Sequence, residues 1–290
     1  MKASSPGQVA RYYADLTSEY EAYGGAALAW NYGVWEQDVR NLQAALQRGQ
    51  EFLLRGLDIT PSTRVLDVGY GAGGFAIWCA SQLGCRVTGV TICEEHVELA
   101  SDNAAVAGVA DRCEFLWMDM DQLALAPESF DVVTNQETFC CSRDKRRYLR
   151  EVFRILAPGG AWSCVDYNVR HGSLSRAESA ELHKVLAGFH LPSMISLSKV
   201  TAYLKAAGFE ERISTDLGGL VLPAAELVMR RSYEPLRLAR RFPRRRLHSP
   251  DAGEEANIRG HYEAGMTYAV GIHTGLFQHG GFRARKPVGS

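Results

Sequence analysis

The sequence predicts an α/β fold with a doubly wound parallel sheet, and two features of the chain carry this prediction. Between residues 60 and 166, short apolar runs of strand length alternate with helical segments, and the connections between them are short. The first of these runs leads directly into a turn with four glycines, in the segment VLDVGYGAGG at 65–74. A strand that enters a glycine turn and then a helix is typical of folds that hold a nucleoside-like ligand.

The elements of this sheet follow in order from apolar runs and turn signals. A strand at 64–68 precedes a helix at about 73–83, and a strand at 86–91 precedes a helix at about 94–107. Further strands are expected at 112–118, 130–135 and 161–166, with a helix at 143–156. The sequence PGG at 158–160 predicts a stop and a turn between that helix and the strand after it.

A second set of elements is predicted toward the C-terminus. A helix at 199–207 ends at Gly208, which has the position of a left-handed cap, and a strand follows from Phe209. An excursion at roughly 217–256 then precedes the final helix and a strand at 277–286.

The first 60 residues differ from the rest, since they look helical and concentrate aromatic side chains. The aromatic residues of this region are Tyr12, Tyr13, Tyr20, Tyr23, Trp30, Tyr32 and Trp35. We expect residues 1–60 to form a helical cover over the mouth of the sheet and residues 61–290 to form the core. Within the core, a helical lid over the substrate is expected at about 217–260, inserted before the last strand.

Composition limits the function classes. The chain has 290 residues and a formal net charge of −1, so its overall charge does not attract nucleic acid or an anionic membrane. No apolar run reaches the roughly 18 residues of a membrane span, and the N-terminus lacks the apolar region of a secretion signal. The seven cysteines form no CxxC pair, and the histidines lack metal-ligand spacing. We expect a soluble cytoplasmic protein with free thiols and without a metal, a nucleic-acid partner or stable membrane insertion. The sequence does not decide whether the protein forms a homo-oligomer.

Glycine suits the turn at 69–74 for two physical reasons. A Cβ at Gly69 or Gly71 would block close approach of the backbone to a ligand, and positive φ is costly for other residues. The spacing is GxGxGG instead of the dinucleotide pattern GxGxxG, and the acid Asp67 precedes the first glycine by two residues. These features resemble motif I of the class I S-adenosylmethionine (SAM) methyltransferases, whose sheet is Rossmann-like. The glycines alone also leave an NAD site open.

The resemblance continues at the next strand end. GVTICEEH at 89–96 looks like the GxTxxxxQ variant of the sterol, tocopherol and cyclopropane-forming SAM enzymes. The cofactor contacts that the resemblance implies are Asp67, Gly69, Gly71 and Gly73 at the methionine part of SAM, Thr91, Ile92 and His96 at the ribose, Asp119 and Met120 at the adenine, and Asn135 in the same site. A surface or capping role for His96, and a helix N-cap role for Asp119 or Asp121, are the alternatives.

The segment NQETFCC at 135–141 follows the fourth strand, where any fold of this kind faces the transferred methyl group. It resembles the IEATCHA segment of sterol C-methyltransferases and the NNEST segment of bacterial geranyl diphosphate C-methyltransferases. YYADLTSEYEAYGG at 12–25 looks like the YYxLVTxFYEYGWG region of the sterol enzymes. The resemblance implies a SAM-dependent C-methyltransferase that methylates an alkene carbon of a terpenoid or prenylated small molecule, with rearrangement or cyclisation afterward as an option. Tyr70 and Gly24 replace a Cys and a Trp of that pattern, which leaves the acceptor's size open.

Methyl transfer to an alkene leaves a carbocation, which needs a dry site with aromatic faces and a negative charge. Glu137 is the expected charge and base, Tyr20 and Tyr13 are expected aromatic faces, and His171 is either a second base or a solvated loop residue. The other expected acceptor contacts are Tyr12, Tyr23, Trp30 and Phe139. Ordinary packing of an N-terminal helix is the alternative for some of these aromatic residues.

Two further alternatives remain open. An O- or N-methyltransferase of a small-molecule natural product would need a base for the acceptor but no site for a cation. The arginine-rich stretch 230–246 could hold an anion or bind nucleic acid, but a solvated lid helix or a surface between subunits is the preferred interpretation.

Overall fold

A computed structural model describes residues 4–241 and 251–289. Over these residues the chain forms one seven-stranded sheet. Its strands are β1 (Arg64–Val68), β2 (Arg86–Thr91), β3 (Cys113–Trp117), β4 (Phe130–Gln136), β5 (Leu156–Val169), β6 (Glu210–Asp216) and β7 (Phe277–Arg285). Their order across the sheet is β3-β2-β1-β4-β5-β7-β6.

The predicted parallel sheet is confirmed for the first five strands, which all pair in parallel. The last two strands make the sheet mixed, because β7 lies between β5 and β6 and is antiparallel to both. The order of strands reverses between β1 and β4, and ligands of such sheets bind beyond the carboxyl ends of the strands at this point.

Helices precede and connect the strands. Those of the described ranges are α1 (Pro6–Asp15), α2 (Thr17–Gly24), α3 (Leu42–Leu54), α4 (Gly74–Trp78), α5 (Glu95–Val106), α6 (Lys145–Ile155), α7 (Arg176–Gly188), α8 (Leu197–Ala207), α9 (Gly218–Arg241) and α10 (Ala252–Thr274). Helix α7 was not predicted, although Ser175 and Glu178 form a capping box at its start. None of the helices in these ranges is long and apolar enough to cross a membrane.

One turn prediction was wrong. Residues 158–160 do not separate a helix from a strand, because β5 already begins at Leu156 and continues through them. Gly159 adopts a φ of 79° there, and the pairing of β5 with β4 shifts register between Phe130 and Val132. The glycines therefore form an irregularity inside a long strand instead of its boundary.

The N-terminal helices lie against the C-terminal helices. Tyr12 of α1 is buried in a cluster with Leu236 of α9 and Ile258 of α10. Asn257 donates to the Asp15 carboxylate at 2.7 Å. This packing is consistent with the expected cover over residues 1–60, and the division between cover, core and lid stays a prediction.

Candidate active site

A cavity of about 230 Å³ lies at the carboxyl ends of β1, β2 and β4, and its wall includes residues of α1, α2, α9 and α10. The structure brings most of the predicted site residues to this wall: Tyr12, Tyr13, Tyr20, Tyr23, Trp30, Asp67, Gly69, Gly71, Thr91, Ile92, His96, Asp119, Met120 and Glu137. Gly73, Asn135, Phe139 and His171 are not part of the wall. Residues from distant parts of the sequence therefore meet where the strand order reverses.

The glycine turn forms the floor of the cavity. Gly69 has a φ of 81°, and a Cβ added there would lie 2.4 Å from the Thr138 Cγ2 atom. A Cβ on Gly71 would lie 3.1 Å from the Trp30 ring. Gly73 belongs to the same turn but packs against α5 and Phe115. Glycine at positions 69 and 71 therefore lets Thr138 and the Trp30 ring pack directly against the turn.

Asp67 supplies a buried acid beside this turn. Thr134 Oγ1 donates to the Asp67 carboxylate at 3.2 Å. Burial raises the pKa of Asp67 to about 7, and the hydrogen bond from Thr134 only partly opposes this effect. A positively charged amino group next to Asp67 would favour its ionised form, so the position suits the amino group of the implied cofactor.

Thr91 and His96 line the next part of the cavity. His96 is buried, its Nε2 lies 3.3 Å from the Thr17 hydroxyl, and its ring meets the Trp30 ring edge-on at 4.8 Å. The alternative of a surface histidine was therefore wrong. Burial lowers the pKa of His96 to about 4, so the ring is neutral near pH 7 and acts as a hydrogen-bonding group without charge.

Asp119 lies at the end of β3, with Met120 after it. Its carboxylate accepts from the Asp121 backbone N–H at 2.9 Å, so Asp119 is the residue that caps the 3₁₀ turn Met120–Gln122. Arg143 forms ion pairs with Asp119 and with Asp121. Sequence reasoning missed Arg143, which fixes both acids at the edge of the cavity.

Tyr70, the unexpected residue of the glycine turn, packs on the side of β2 and β3. Its ring lies 4.8 Å from the Phe115 ring, and a Cβ on Gly89 would lie 2.4 Å from Tyr70 Cδ1.

Three buried polar atoms of the cavity wall have no hydrogen-bond partner in the described ranges: Tyr70 OH, Tyr23 OH and Trp30 Nε1. An unsatisfied buried group costs about 1–3 kcal/mol, so these atoms favour a ligand with polar groups in this cavity.

An aromatic wall, defined as Tyr13, Tyr20 and Trp30, extends along the cavity from the glycine turn, where Trp30 packs beside Gly71. The Tyr20 and Trp30 rings stack at 4.8 Å with 15° between their planes, and Tyr13 stacks on Tyr20 at 6.4 Å. Tyr13 OH also lies 3.3 Å from the Cys141 sulfur. The wall offers ring faces and edges with little charge.

Glu137 is a buried carboxylate of the cavity wall, held by residues from three other parts of the chain. The Tyr32 backbone N–H donates to its Oε1 at 2.8 Å, and Tyr167 OH donates to its Oε2 at 2.6 Å. His279 Nε2 lies 3.4 Å from Oε1. Glu137 is 7% exposed and has a φ of 55°, a conformation that costs a glutamate energy and often occurs at functional sites.

Three predicted residues lie elsewhere. The Asn135 amide oxygen accepts from Tyr148 OH at 2.6 Å, and its nitrogen donates to Thr138 Oγ1 at 2.9 Å, so it holds the turn after β4 from the core side. Phe139 packs in the core between Tyr148 and Trp162. His171 is exposed and contacts Ser198, as the alternative of a solvated loop residue expects. These positions do not support direct ligand contacts.

Three residues at the cavity or directly behind Glu137 had no signal in the sequence. Tyr167 and His279 are cross-strand neighbours of β5 and β7, and only the antiparallel pairing brings both to Glu137. Nδ1 of His261, on α10, lies within hydrogen-bond distance of Tyr12 OH at 2.8 Å, and burial lowers the pKa of His261 to about 4. Their distance from the glycine turn in sequence hides all three.

Within the described part of the arginine-rich stretch, one arginine lines the cavity and another faces solvent. Arg231 lines the cavity and its guanidinium lies 5.5 Å from the Tyr23 ring centre. Arg237 pairs with Glu234 on the outer side of α9. Residues 242–250 lie outside the described ranges, so the interpretation of the whole stretch 230–246 stays a prediction.

Comparison with known proteins identifies the family. A methyltransferase domain model matches residues 66–164. The chain is 30% identical to methyltransferase GfsG of Streptomyces halstedii, over 69% of this chain and 74% of that protein. It is 29% identical to 27-O-demethylrifamycin SV methyltransferase of Amycolatopsis mediterranei (77% and 81% covered) and 30% identical to cycloartenol-C-24-methyltransferase of Arabidopsis thaliana (74% and 64%).

Solved structures agree on the fold. The [4+2]-cyclase SpnF superposes with a TM-score of 0.79 at 24% identity, covering 99% of this chain and 98% of that one. Geranyl diphosphate C-methyltransferase of Streptomyces coelicolor A3(2) has a TM-score of 0.69 at 18% identity, covering 95% and 97%. The predicted Rossmann-like fold and the resemblance to sterol and geranyl diphosphate C-methyltransferases are confirmed. The chain belongs to the SAM-dependent methyltransferases and has their class I fold.

Proposed function

We propose that this protein is a SAM-dependent C-methyltransferase that methylates an alkene carbon of a terpenoid or prenylated small molecule. One observation carries the proposal: a buried carboxylate, Glu137, which accepts hydrogen bonds from the Tyr32 backbone and from Tyr167 OH, shares a cavity with the aromatic wall. This combination suits a reaction that develops positive charge on carbon.

The residues at the glycine turn fit SAM. Gly69 and Gly71 line the cavity without side chains of their own, and Asp67 suits a cationic amino group. Thr91 and Asp119 lie at the adjoining strand ends, where a ribose and a base would follow. When bound, SAM supplies a methyl group on a positively charged sulfur, which is a strong electrophile.

In the proposed reaction, each bond that forms or breaks and the released proton are accounted for. The π electrons of the acceptor alkene form the new carbon–carbon bond to the methyl group as the carbon–sulfur bond breaks. The sulfur keeps that bonding pair, and the acceptor becomes a carbocation. Glu137 then removes a proton from a carbon next to the cation, which gives a methylated alkene and a protonated carboxyl group.

The wall and the carboxylate have different tasks in this scheme. Tyr20 and Trp30 present π systems, each worth about 0.5–2 kcal/mol to a nearby cation, and they keep water away from it. Tyr167 and the Tyr32 backbone fix the plane of the Glu137 carboxylate, so that it needs little reorganisation as the charge forms. Rearrangement or cyclisation before proton loss is compatible with the same site.

A second candidate is O- or N-methylation of a natural product, which the rifamycin relative favours because its name specifies an oxygen acceptor. Glu137 could then deprotonate a hydroxyl, and the aromatic wall would serve only to bind a flat or apolar acceptor. The two candidates differ in what they require of Tyr20 and Trp30. A reaction that works by proximity alone should tolerate their replacement by leucine.

The test is incubation with methyl-labelled SAM and a panel of prenylated indoles, allylic diphosphates, sterols and phenols, followed by mass measurement of products. We expect a product that gains one methyl group on a prenyl or terpenoid acceptor, and we expect Glu137→Gln to abolish it. The exposed variant His171→Ala is the matched control and should retain activity. Transfer only to phenol oxygens or amines would exclude the proposal.

A further inference from the structure

The strongest feature that the proposed mechanism leaves unused is a buried histidine behind Glu137. His279 on β7 is completely buried, and its Nε2 has no hydrogen-bond partner in the described residues. The nearest charged atom is Glu137 Oε1 at 3.4 Å, slightly beyond an ideal hydrogen bond. Contacts of catalytic groups often shorten when the ligands bind.

The other side of the ring is anchored. His279 Nδ1 lies 2.9 Å from Tyr268 OH, and Tyr268 OH lies 3.1 Å from the Gln278 carbonyl oxygen. Tyr268 is also completely buried. Its ring packs edge-on to Tyr167 at 4.9 Å, so the same residue supports both side chains that contact Glu137.

Counting protons decides what His279 can do. A phenol has one proton, which Tyr268 gives either to the Gln278 carbonyl or to His279 Nδ1. If it goes to Nδ1, the neutral ring carries its hydrogen on Nε2, facing Glu137. If the proton goes to the Gln278 carbonyl, His279 Nδ1 must donate to the Tyr268 oxygen. A neutral ring then has a lone pair on Nε2, which faces the lone pairs of Glu137 Oε1. Only a further proton on Nε2 or on Glu137 would remove this repulsion. Donation from Tyr268 OH to Nδ1 is therefore the arrangement that satisfies a neutral ring without opposed lone pairs, and it places the ring hydrogen on Nε2, toward Glu137.

We propose that His279, held by Tyr268, is a positioning residue that donates from Nε2 to Glu137 Oε1 and leaves Oε2 as the atom that accepts the proton from the acceptor. A carboxylate has about four acceptor sites. Oε1 uses two of them, for the Tyr32 N–H and His279, whereas Oε2 uses one, for Tyr167 OH. The spare site on Oε2 is the one left for the reaction. This inference rests on the proposed role of Glu137 as the base.

The groups around His279 leave few other partners. Glu137 comes from the turn after β4, Tyr167 from β5, Tyr268 from α10 and Tyr32 from the N-terminal loop. Asp166 of β5 is also near enough for His279 to lower its pKa slightly, but its carboxylate accepts from the backbone N–H groups of Cys140 and Tyr167. Glu137 is thus the carboxylate at ion-pair distance from His279 Nε2 in the described part of the chain.

Two substitutions separate positioning from packing. A glutamine amide nitrogen reaches the place of Nε2, whereas an asparagine nitrogen reaches only that of Nδ1. We expect His279→Asn to lower kcat about 100-fold, as for a displaced catalytic group, with KM and S-adenosylhomocysteine (SAH) affinity changed less than about twofold. His279→Gln should recover kcat to within about fivefold of the wild type. Equal kcat values for the two variants would overturn the proposal.

A spectroscopic arm needs no acceptor and stays informative if the proposed reaction is wrong. Nitrogen NMR of the SAH complex labelled with ¹⁵N-histidine, with the His279 signal assigned by its loss in His279→Gln, reports the protonation of both ring nitrogens. We expect Glu137→Gln to move the Nε2 resonance and Tyr268→Phe to move the Nδ1 resonance. Tyr268→Phe keeps the aromatic ring in the core, and we expect circular dichroism to find it folded. An Nε2 signal that does not respond to Glu137→Gln would overturn the inference even if the enzyme methylates alkenes.

Discussion

The two halves of the cavity are built in different ways. The proposed cofactor half, at the glycine turn and the ends of β1, β2 and β3, draws its residues from within about 55 positions of one another. The acceptor half gathers side chains from the N-terminal loop, the turn after β4, β5, α9 and α10. Under the proposed function, SAM would be held by a nearly contiguous part of the sequence, and the acceptor by side chains that converge only in the fold.

If this comparison is correct, changes in the acceptor half should affect turnover while SAH binding stays intact. Glu137→Gln is expected to lower kcat about 1000-fold, because the amide cannot accept the proton from the acceptor. SAH affinity by calorimetry should change less than about twofold. The exposed variant Glu114→Gln is the control. A parallel loss of SAH affinity would show that the halves are not independent.

The acid of the cofactor half gives the next largest effect, in stability. The pKa of Asp67 rises from 3.8 to about 7 on folding, so the folded state binds this proton more tightly and loses stability as pH rises between these values. Asp67→Asn removes this dependence. The difference in unfolding free energy between wild type and variant should therefore change by about 3 kcal/mol between about pH 4.5 and about pH 7.5 without ligand.

Urea unfolding at the two pH values measures this difference directly. His96 and His261, whose pKa values fall to about 4, make stability rise with pH, but both proteins share them and their effect cancels. Stability curves that run parallel for wild type and Asp67→Asn would contradict the burial of this carboxyl group.

A change at the glycine turn should weaken SAH binding, whereas Glu137→Gln should leave it intact. Gly69→Ala places a Cβ 2.4 Å from Thr138 at a φ of 81°, and SAH binding should weaken about 100-fold. Gly108→Ala is a matched control, because Gly108 has a φ of 71° with nothing within 4 Å of its added Cβ. Calorimetry should find normal SAH affinity for Gly108→Ala. Equal losses in the two variants would mean that strain alone, without close approach, explains Gly69.

The smallest expected effect concerns the aromatic wall. Tyr20→Leu removes one π face and should lower kcat about 3–30-fold on an alkene acceptor, with the apolar volume mostly kept. The exposed Tyr233→Leu serves as the control. Turnover of Tyr20→Leu equal to the wild type would favour methyl transfer by proximity to oxygen or nitrogen.

The sequence predicted the parallel strands and the glycine turn after the first of them because their signals are local. Apolar runs mark the strands, and the turn at 69–74 needs glycine for reasons that one segment contains. The irregularity inside β5 was not predicted, because the sequence PGG at 158–160 suggested a turn, whereas β5 begins at Leu156 and continues through Gly159.

The acceptor half was only partly predictable. Glu137 was found from its segment, but its positive φ breaks the alternation of side chains, so that Glu137 enters the cavity while Asn135 faces the core. His279 and Tyr268 become neighbours of Glu137 through the antiparallel pairing of β7 with β5 and the packing of α10, which no local pattern indicates. Long-range contacts of this kind depend on the whole topology.

The most direct test of the central claim is the position of the transferred methyl group. The enzyme is incubated with SAM carrying a ¹³C-methyl group and with the acceptor it turns over, and the product is studied by carbon NMR. The account predicts a label bonded to carbon, next to an alkene formed by proton loss. A label bonded to oxygen or nitrogen would contradict it.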